Sequence, residues 1–140
     1  MPDRQLVALA NELRLSCMRI SRRVRFESGG EIAPHQFSVL CRLEGGPLTP
    51  GQLADCERIS APSMTRTVAG LAAAGLVRRD DHPSDGRQVL VSLTPDGGIA
   101  LQGIRRRRDE WMVARIEALS EVERSVLAQA TGILGKVAGA

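Results

Sequence analysis

The sequence predicts a mainly α-helical protein that carries one small β-hairpin near its middle. Apolar residues recur at spacings of three and four near the start and near the end of the chain, as in amphipathic helices. In between, Ser or Thr stands close to proline at three places, a pattern that marks helix starts. A run of alternating apolar and polar residues follows a turn-rich loop, which indicates paired strands. The predicted order is four helices, two strands and two helices.

The first helix is predicted from an apolar stripe in near-heptad register. Its members follow one another at spacings of 4, 3, 4, 3 and 4: Leu6, Ala10, Leu13, Cys17, Ile20 and Val24. Gly29-Gly30 ends this helix. The stripe can pack against the same chain or against a second one.

Two short helices follow. Pro34 opens the second helix, and the Gly-Gly-Pro sequence at 45–47 ends it. Thr49 and Gln52 form a capping box in which each side chain caps the other residue's backbone amide, and Pro50 occupies the first helical position. The third helix therefore runs from Thr49 to about Glu57, before a tight turn.

The fourth helix and the hairpin complete the central region. Ser60 caps a helix that continues to Ala74 and stops at Gly75; its predicted buried stripe is Met64, Val68 and Leu71. Residues 76–79 and 89–93 are strand-like and surround a nine-residue loop at 80–88 that is rich in turn formers. We call this hairpin the wing.

A long helix starts at Thr94-Pro95, and a last helix starts at a second capping box at 120–123. We divide the compact chain into a terminal helical region, 1–32 with 96–140, and a winged helix-turn-helix region, 33–95, embedded between its two parts.

Composition restricts the functions that remain. The chain has 140 residues with a net charge of +3, and all 19 basic residues except Lys136 are arginine. Aromatic residues make up 2% and tyrosine is absent, which disfavours stacking platforms for single-stranded nucleic acid. No apolar run reaches the roughly 20 residues of a membrane span, and no signal core is seen at the N-terminus. We expect a cytoplasmic protein without a membrane partner.

The cysteines and histidines give little sign of a metal site or an active site. Three cysteines, 24 and 15 residues apart, fit neither a disulfide framework nor close zinc-ligand pairs, and a composite site with His35 and His82 is weakly signalled. We expect buried, inert thiols, with redox sensing as the alternative. Phosphate loops, nucleophile elbows and metal-ligand helix motifs are missing from the sequence, so we expect no enzyme, no metal and no cofactor.

The central region favours contact with double-stranded DNA. A recognition helix enters the major groove with its N-terminal residues nearest the bases, and short or polar residues suit that place. The residues that fit are Ser60, Ala61, Pro62, Ser63, Thr65 and Arg66. The helix starts at Thr49 and Ser60 offer free amides to phosphates, and Arg87 can enter the minor groove. Residues 49–94 are neutral overall, so a winged-helix module that binds protein without DNA stays the alternative.

These segments resemble the MarR family, the multiple antibiotic resistance regulators. The wing carries the family pattern most fully, since residues 85–94 read Asp-Gly-Arg-Gln-Val-Leu-Val-Ser-Leu-Thr. Val91 departs from it, standing where the family usually has leucine. Leu53-Ala54, residues 60–66 with Val68 and Leu71, and Gly75-Leu76-Val77-Arg78-Arg79 agree as well. The resemblance covers nearly the whole chain.

The resemblance implies a homodimer, interlocked through its N- and C-terminal helices, that binds a pseudo-palindromic operator as a ligand-responsive repressor. Arg87 would be the minor-groove arginine, and Asp85 would hold it, or another wing arginine, in an ion pair. For Arg78 and Arg79, contact with phosphate and simple solvation at a strand edge stay equally open.

Many family members also release DNA when a phenolic compound or a small aromatic acid binds between the dimer core and the winged helix. The candidate residues here are Met18, Arg22, His35 and Phe37, with ordinary core and surface roles as the favoured alternative. Cys17 lies in the first helix, the helix in which oxidant sensors of the family carry a thiol, but the tyrosines that often accompany that thiol are absent. The arginines at 105–108 point in four directions, so we expect solvated positions and ion pairs rather than one basic face, with long-range attraction to DNA as the alternative.

Overall fold

The computed structural model describes residues 1–30 and 32–139 and confirms the predicted order of elements. Its helices and strands are α1 (Arg4–Glu27), α2 (Pro34–Leu43), α3 (Pro50–Glu57), α4 (Ala61–Ala73), β1 (Val77–Asp81), β2 (Val89–Leu93), α5 (Pro95–Glu117) and α6 (Glu121–Ala138). The fold is mainly helical with one two-stranded antiparallel sheet.

The predicted capping boxes define two of the helix starts. The Thr49 hydroxyl accepts from the Gln52 amide at 3.1 Å, and the Gln52 side chain accepts from the Thr49 amide at 2.9 Å. Ser120 and Glu123 repeat this exchange at 3.1 Å in each direction. The Glu123 carboxylate accepts this backbone bond, which lowers its pKa. Local side-chain chemistry therefore fixes where α3 and α6 begin.

The core lies in the winged helix-turn-helix region and extends to one turn of α5. The predicted stripe of α4 is buried, together with residues of α2, α3, both strands and α5; the cluster is Val39, Leu40, Leu43, Leu53, Ala54, Met64, Val68, Leu71, Val77, Val91 and Leu101. Leu48 forms an additional bridge with Val91, its amide donating at 3.1 Å and its carbonyl accepting at 2.8 Å. This bridge joins β2 to the segment before α3.

The wing has a longer first strand and a shorter loop than the sequence predicts. Asp80 and Asp81 pair with Leu90 and Val89, so β1 continues through two residues assigned to the loop. The turn is 82–88 rather than 80–88. Backbone pairing with the apolar strand β2 overrides the low strand propensity of aspartate, because it satisfies the amides and carbonyls of both strands.

The terminal helices leave their apolar faces uncovered within the chain. Neither α1 nor α6 has a buried residue. Leu6 is 58% exposed and Ile20 is 46% exposed, and of the α1 stripe only Leu13 and Val24 are partly buried. In α6, four apolar residues in phase are exposed: Val122, Val126, Ile133 and Val137. The chain alone therefore does not cover these stripes.

The expectation of buried thiols is wrong for two of the three cysteines. Cys17 and Cys56 are exposed, and Cys41 is half-buried. Cys17 lies on the uncovered part of α1, and Cys56 follows the buried pair Leu53 and Ala54 on the outer side of α3. Among residues 1–30 and 32–139, no group of three metal-ligating side chains occurs, and no helix is long and apolar enough to cross a membrane.

Candidate nucleic-acid interface

The exposed N-terminal part of α4 carries the residues predicted to read the major groove. Met64, Thr67 and Val68 face the core, while Ala61, Pro62, Thr65 and Arg66 are exposed: small, polar or cationic side chains on the outer face. The buried stripe thus fixes which side of the helix points outward, and that side has no bulky residue that would prevent close approach to DNA.

Ser63 organises the polar groups at this helix start. Its hydroxyl accepts from the Ser60 hydroxyl at 3.0 Å and from Arg66 Nη2 at 3.2 Å. The Ser60 hydroxyl also caps the helix by accepting from the Ser63 amide at 3.3 Å. Thr65 donates to the Ala61 carbonyl at 3.0 Å. Ser63 is half-buried, and its hydroxyl accepts from the Arg66 guanidinium on the outer face of the helix.

At the tip of the wing, the contacts of Asp85 differ from the ion pair that the resemblance implies. The Asp85 carboxylate accepts from the Arg87 backbone amide at 3.1 Å, and no ion pair of Asp85 occurs in the described part of the chain. Its short side chain closes a turn onto the amide two residues later instead of reaching a guanidinium. The ion pair on β1 joins Arg78 to Asp80, with Nε 2.7 Å from Oδ2. Asp85 therefore shapes the backbone that carries Arg87.

Hydrogen bonds around Thr94 join the wing to α4 and α5. The Thr94 hydroxyl donates to the Gly75 carbonyl at 2.7 Å and accepts from the Gly97 amide at 3.0 Å. The Thr94 amide donates to the Leu76 carbonyl at 3.1 Å. The end of α4, the base of the wing and the start of α5 are held together, so Arg66 and Arg87 project from one unit.

The four predicted effector residues do not come together within the chain. Met18 and Arg22 line a shallow groove on the exposed surface of α1. His35 lines a crevice beside Ser63 and Arg66 of α4. Phe37 lies instead beneath α5. Two residues along a helix correspond to a rotation of about 200°, so the side chains of His35 and Phe37 leave α2 on opposite sides.

The arginines at 105–108 point in different directions, as predicted, and each has its own neighbour. Arg105 donates from Nη1 to Glu44 at 2.7 Å, and this hydrogen bond holds the pKa of the Glu44 carboxyl below its usual range. Arg106 lies 3.7 Å from Glu110, and Arg107 lies against the backbone of Gly30. Arg108 stacks on Phe37, with Cζ 3.8 Å from the ring centroid. They do not form one basic face.

The inner side of α5 carries a feature that sequence reasoning missed. Arg107 Nε, Arg108 Nε and Trp111 Nε1 are buried and have no hydrogen-bond acceptor in the described part of the chain. Spacings of three and four place Trp111 on the same side of the helix as both arginines, so this spacing was the available signal.

Burial raises the pKa of the nearby Cys41 thiol, against the opposing effect of Arg105.

These features define a winged helix-turn-helix protein with a polar recognition helix. Residues 32–88 match the sequence profile of the MarR family. An HTH-type transcriptional regulator of Mycobacterium tuberculosis is 43% identical over 128 residues, which are 90% of each chain. The chain belongs to the MarR family, whose members are DNA-binding transcription regulators.

Solved structures agree with this assignment. A crystal structure of a candidate transcriptional regulator from Pseudomonas aeruginosa superposes with a TM-score of 0.83 at 32% identity, over 99% of both chains. Another fold neighbour is Bordetella bronchiseptica BpsR, with a TM-score of 0.61 at 21% identity, over 91% of this chain and 98% of that one. DNA binding by BpsR is regulated by 6-hydroxynicotinic acid.

Proposed function

We propose that the protein is a homodimeric repressor that binds a pseudo-palindromic operator and occludes the promoter it overlaps. The observation that carries this proposal is the joining of α4 and the wing into one unit through Thr94, on which Arg66 and Arg87 are both exposed. In this proposal the start of α4 enters the major groove, and Arg87 enters the adjacent minor groove. A DNA-binding regulator acts where the DNA is, so we place it in the cytoplasm.

The charge distribution supports binding through a few well-placed contacts. Arg78 is engaged with Asp80 and Arg42 with Glu57, whereas Arg66, Arg79 and Arg87 are exposed near the proposed DNA surface. We assign phosphate contacts to Arg79 and to the free amides at the helix starts of Thr49 and Ser60. Because few phosphates are neutralised, the salt dependence of the affinity should be shallow.

The uncovered stripes of α1 and α6 support the dimer. Residues 1–32 and 96–140 carry these stripes, and we assign dimerisation to them. A second copy that packs stripe against stripe removes the exposed apolar surface from water. Two-fold symmetry then places two recognition helices on one side of the duplex, which is why the operator should be pseudo-palindromic with half-sites about one helical turn apart.

Arg87→Ala should weaken specific DNA binding roughly tenfold to hundredfold, since one base-contacting arginine is worth about 1–3 kcal/mol. The measurement is fluorescence anisotropy of labelled DNA from immediately upstream of the gene, with scrambled DNA for comparison, at physiological salt. Arg124→Ala is the matched control, because Arg124 is also exposed but lies on α6, away from the proposed DNA surface. Equal affinities for Arg87→Ala and Arg124→Ala would remove the wing from the interface.

The same titration distinguishes the alternative function. The neutral balance of residues 49–94 also suits a winged helix that binds protein. Tight binding with a strong preference for the native sequence supports the regulator. Absence of binding at every salt concentration favours the protein-interaction module.

We also propose that a small aromatic acid or phenolic effector binds on the inner side of α5. The unpartnered donors of Arg107, Arg108 and Trp111 are suited to a carboxylate, since guanidinium and indole groups donate but do not accept. The effector can lower DNA affinity at most by the ratio of its own affinities for two conformations, the one that cannot bind DNA and the one that can. The relation of BpsR to 6-hydroxynicotinic acid makes that compound the first probe. In the protomer, this region includes Phe37 but not Met18, Arg22 or His35.

Arg108→Gln should weaken binding of 6-hydroxynicotinic acid about tenfold, the expected loss for one charge-assisted hydrogen bond. Trp111 is the sole tryptophan, so its fluorescence reports the binding directly. Arg106→Gln serves as the control because Arg106 is exposed and paired with Glu110. If both variants titrate like the unmodified protein, the effector does not use these donors.

A further inference from the structure

The wing tip is held by a histidine that the regulator function has not so far required. His82 follows β1, and its ring Nδ1 lies 3.2 Å from the backbone amide of Ser84 and 3.2 Å from that of Asp85. The Ser84 hydroxyl lies 3.3 Å from the same nitrogen. The ring therefore caps the turn much as an aspartate or asparagine side chain caps other turns.

The chemistry of these contacts determines the protonation state of the ring. A backbone N–H can only donate, so Nδ1 must accept and must carry no proton. The neutral ring then holds its proton on Nε2. An imidazolium has N–H groups at both positions and offers no acceptor, so it cannot make either amide bond.

The turn that His82 caps also carries Arg87. The Asp85 amide donates to His82, the Asp85 carboxylate accepts from the Arg87 amide at 3.1 Å, and the Asp85 carbonyl accepts from the Gln88 amide at 3.0 Å. The His82 amide closes the hairpin by donating to the Gln88 carbonyl at 3.2 Å. Asp85 thus links the histidine ring to the backbone of the proposed minor-groove arginine.

The charged groups around the ring belong to the wing. Asp81, the last residue of β1, directly precedes His82, and Asp85 and Arg87 lie in the turn that His82 caps. Arg78, Arg79 and Asp80 lie further along β1, with Arg78 and Asp80 paired. The helices pack at the other end of the hairpin, around the buried residues Val77 and Val91. Proton uptake by the ring is therefore an event of the wing tip.

We propose that His82 is a pH-sensitive latch of the wing tip. Its neutral ring holds the amides of Ser84 and Asp85, and protonation releases them, loosens the turn that carries Arg87 and lowers the affinity for the operator. The latch is closed while the ring is neutral and open once both ring nitrogens carry protons. The effect on DNA rests on the proposed function, whereas the latch itself does not.

The first test follows the latch by NMR in 15N-labelled full-length protein, without DNA. We expect the unprotonated ring nitrogen to be Nδ1 at pH 8, and the Ser84, Asp85 and Arg87 amide signals to shift in step with the imidazole as the pH falls. His82→Asn is the matched variant, since its side-chain oxygen can accept from the same amides but does not titrate. In His82→Asn those shifts should disappear. The proposal would be overturned if the amide chemical shifts did not change with the imidazole signals, or if they changed equally in His82→Asn.

The second test compares DNA affinity at pH 8 and pH 5.5, using the labelled upstream DNA. The affinity of the unmodified protein should fall about threefold to tenfold more than that of His82→Asn, as for the loss of one or two hydrogen bonds. Equal ratios for both proteins, despite release of the amides, would overturn the step from the wing tip to DNA. If neither protein binds at pH 8, the proposed function fails, while the NMR result still decides the latch.

Discussion

Replacing Gly97 with alanine is expected to destabilise the protein by about 2–4 kcal/mol, the range for a methyl group forced into a well-packed site together with a lost hydrogen bond. Gly97 is buried in the first turn of α5. A Cβ atom there would overlap the carbonyl oxygen of Leu76 and come within 2.9 Å of Leu93 Cδ1. The Leu76 carbonyl already accepts from the Thr94 amide, so it cannot move without breaking the junction between the wing and α5.

Gly98 supplies the matched control. It is the next residue of the same helix, and a Cβ atom there would meet nothing within 4 Å. Gly98→Ala should therefore stabilise the protein by up to about 1 kcal/mol through helix propensity alone. Thermal unfolding of both variants at one protomer concentration measures the difference, since the Tm of a dimer depends on concentration. Equal Tm values for the two variants would show that α5 and the wing are not in close contact at Gly97.

The pair of variants also tests the unit that carries the proposed DNA contacts. Gly97 donates to the Thr94 hydroxyl, which in turn donates to the Gly75 carbonyl at the end of α4. A shift of α5 at this point changes the angle between α4 and the wing. We therefore expect Gly97→Ala to lose specific DNA affinity even at temperatures where it remains folded, in contrast to Gly98→Ala.

The sequence predicted what depends on neighbouring residues. Thr49 and Ser120 begin their helices as expected, because a cap and its partner lie three residues apart. Gly75 ends α4 as expected, with a positive φ of 76° that glycine adopts without strain. These signals are read from the chain because the groups that satisfy each other are close along it.

The sequence could not predict contacts between distant residues. The bridge between Leu48 and Val91 joins residues 43 positions apart, and the hydrogen bond from Arg105 to Glu44 joins residues 61 positions apart. No local sequence pattern predicts either contact. The errors at the candidate sites have another cause, because they concern residues that are close along the chain. The family resemblance implies an ion pair for Asp85, but its short side chain accepts from the backbone amide two residues away. His35 and Phe37 are two positions apart on a predicted helix, and the rotation of about 200° between them was a signal that they leave it on opposite sides.

An aspartate at Ile133 is expected to dissociate the proposed dimer and, as a result, to lower operator affinity by at least about hundredfold. Ile133 is 61% exposed in the chain and lies in the α6 stripe with Val126 and Val137. Burial of an unpaired carboxylate in an apolar interface costs several kcal/mol, and a factor of 100 in affinity needs only about 2.7 kcal/mol. The folded protomer should survive, because α6 contributes no buried residue to its core.

Thr131→Asp is the control for this prediction. Thr131 precedes Ile133 by two residues and therefore lies on the opposite side of α6, yet it receives the same charge. Sedimentation velocity should show the protomer for Ile133→Asp and the dimer for Thr131→Asp, with operator binding lost only in the former. A dimeric Ile133→Asp protein would assign the exposed stripe of α6 to another partner. A protomer that still binds the full operator with unchanged affinity would instead separate DNA recognition from the two-fold symmetry, because each α4 and its wing would then suffice alone.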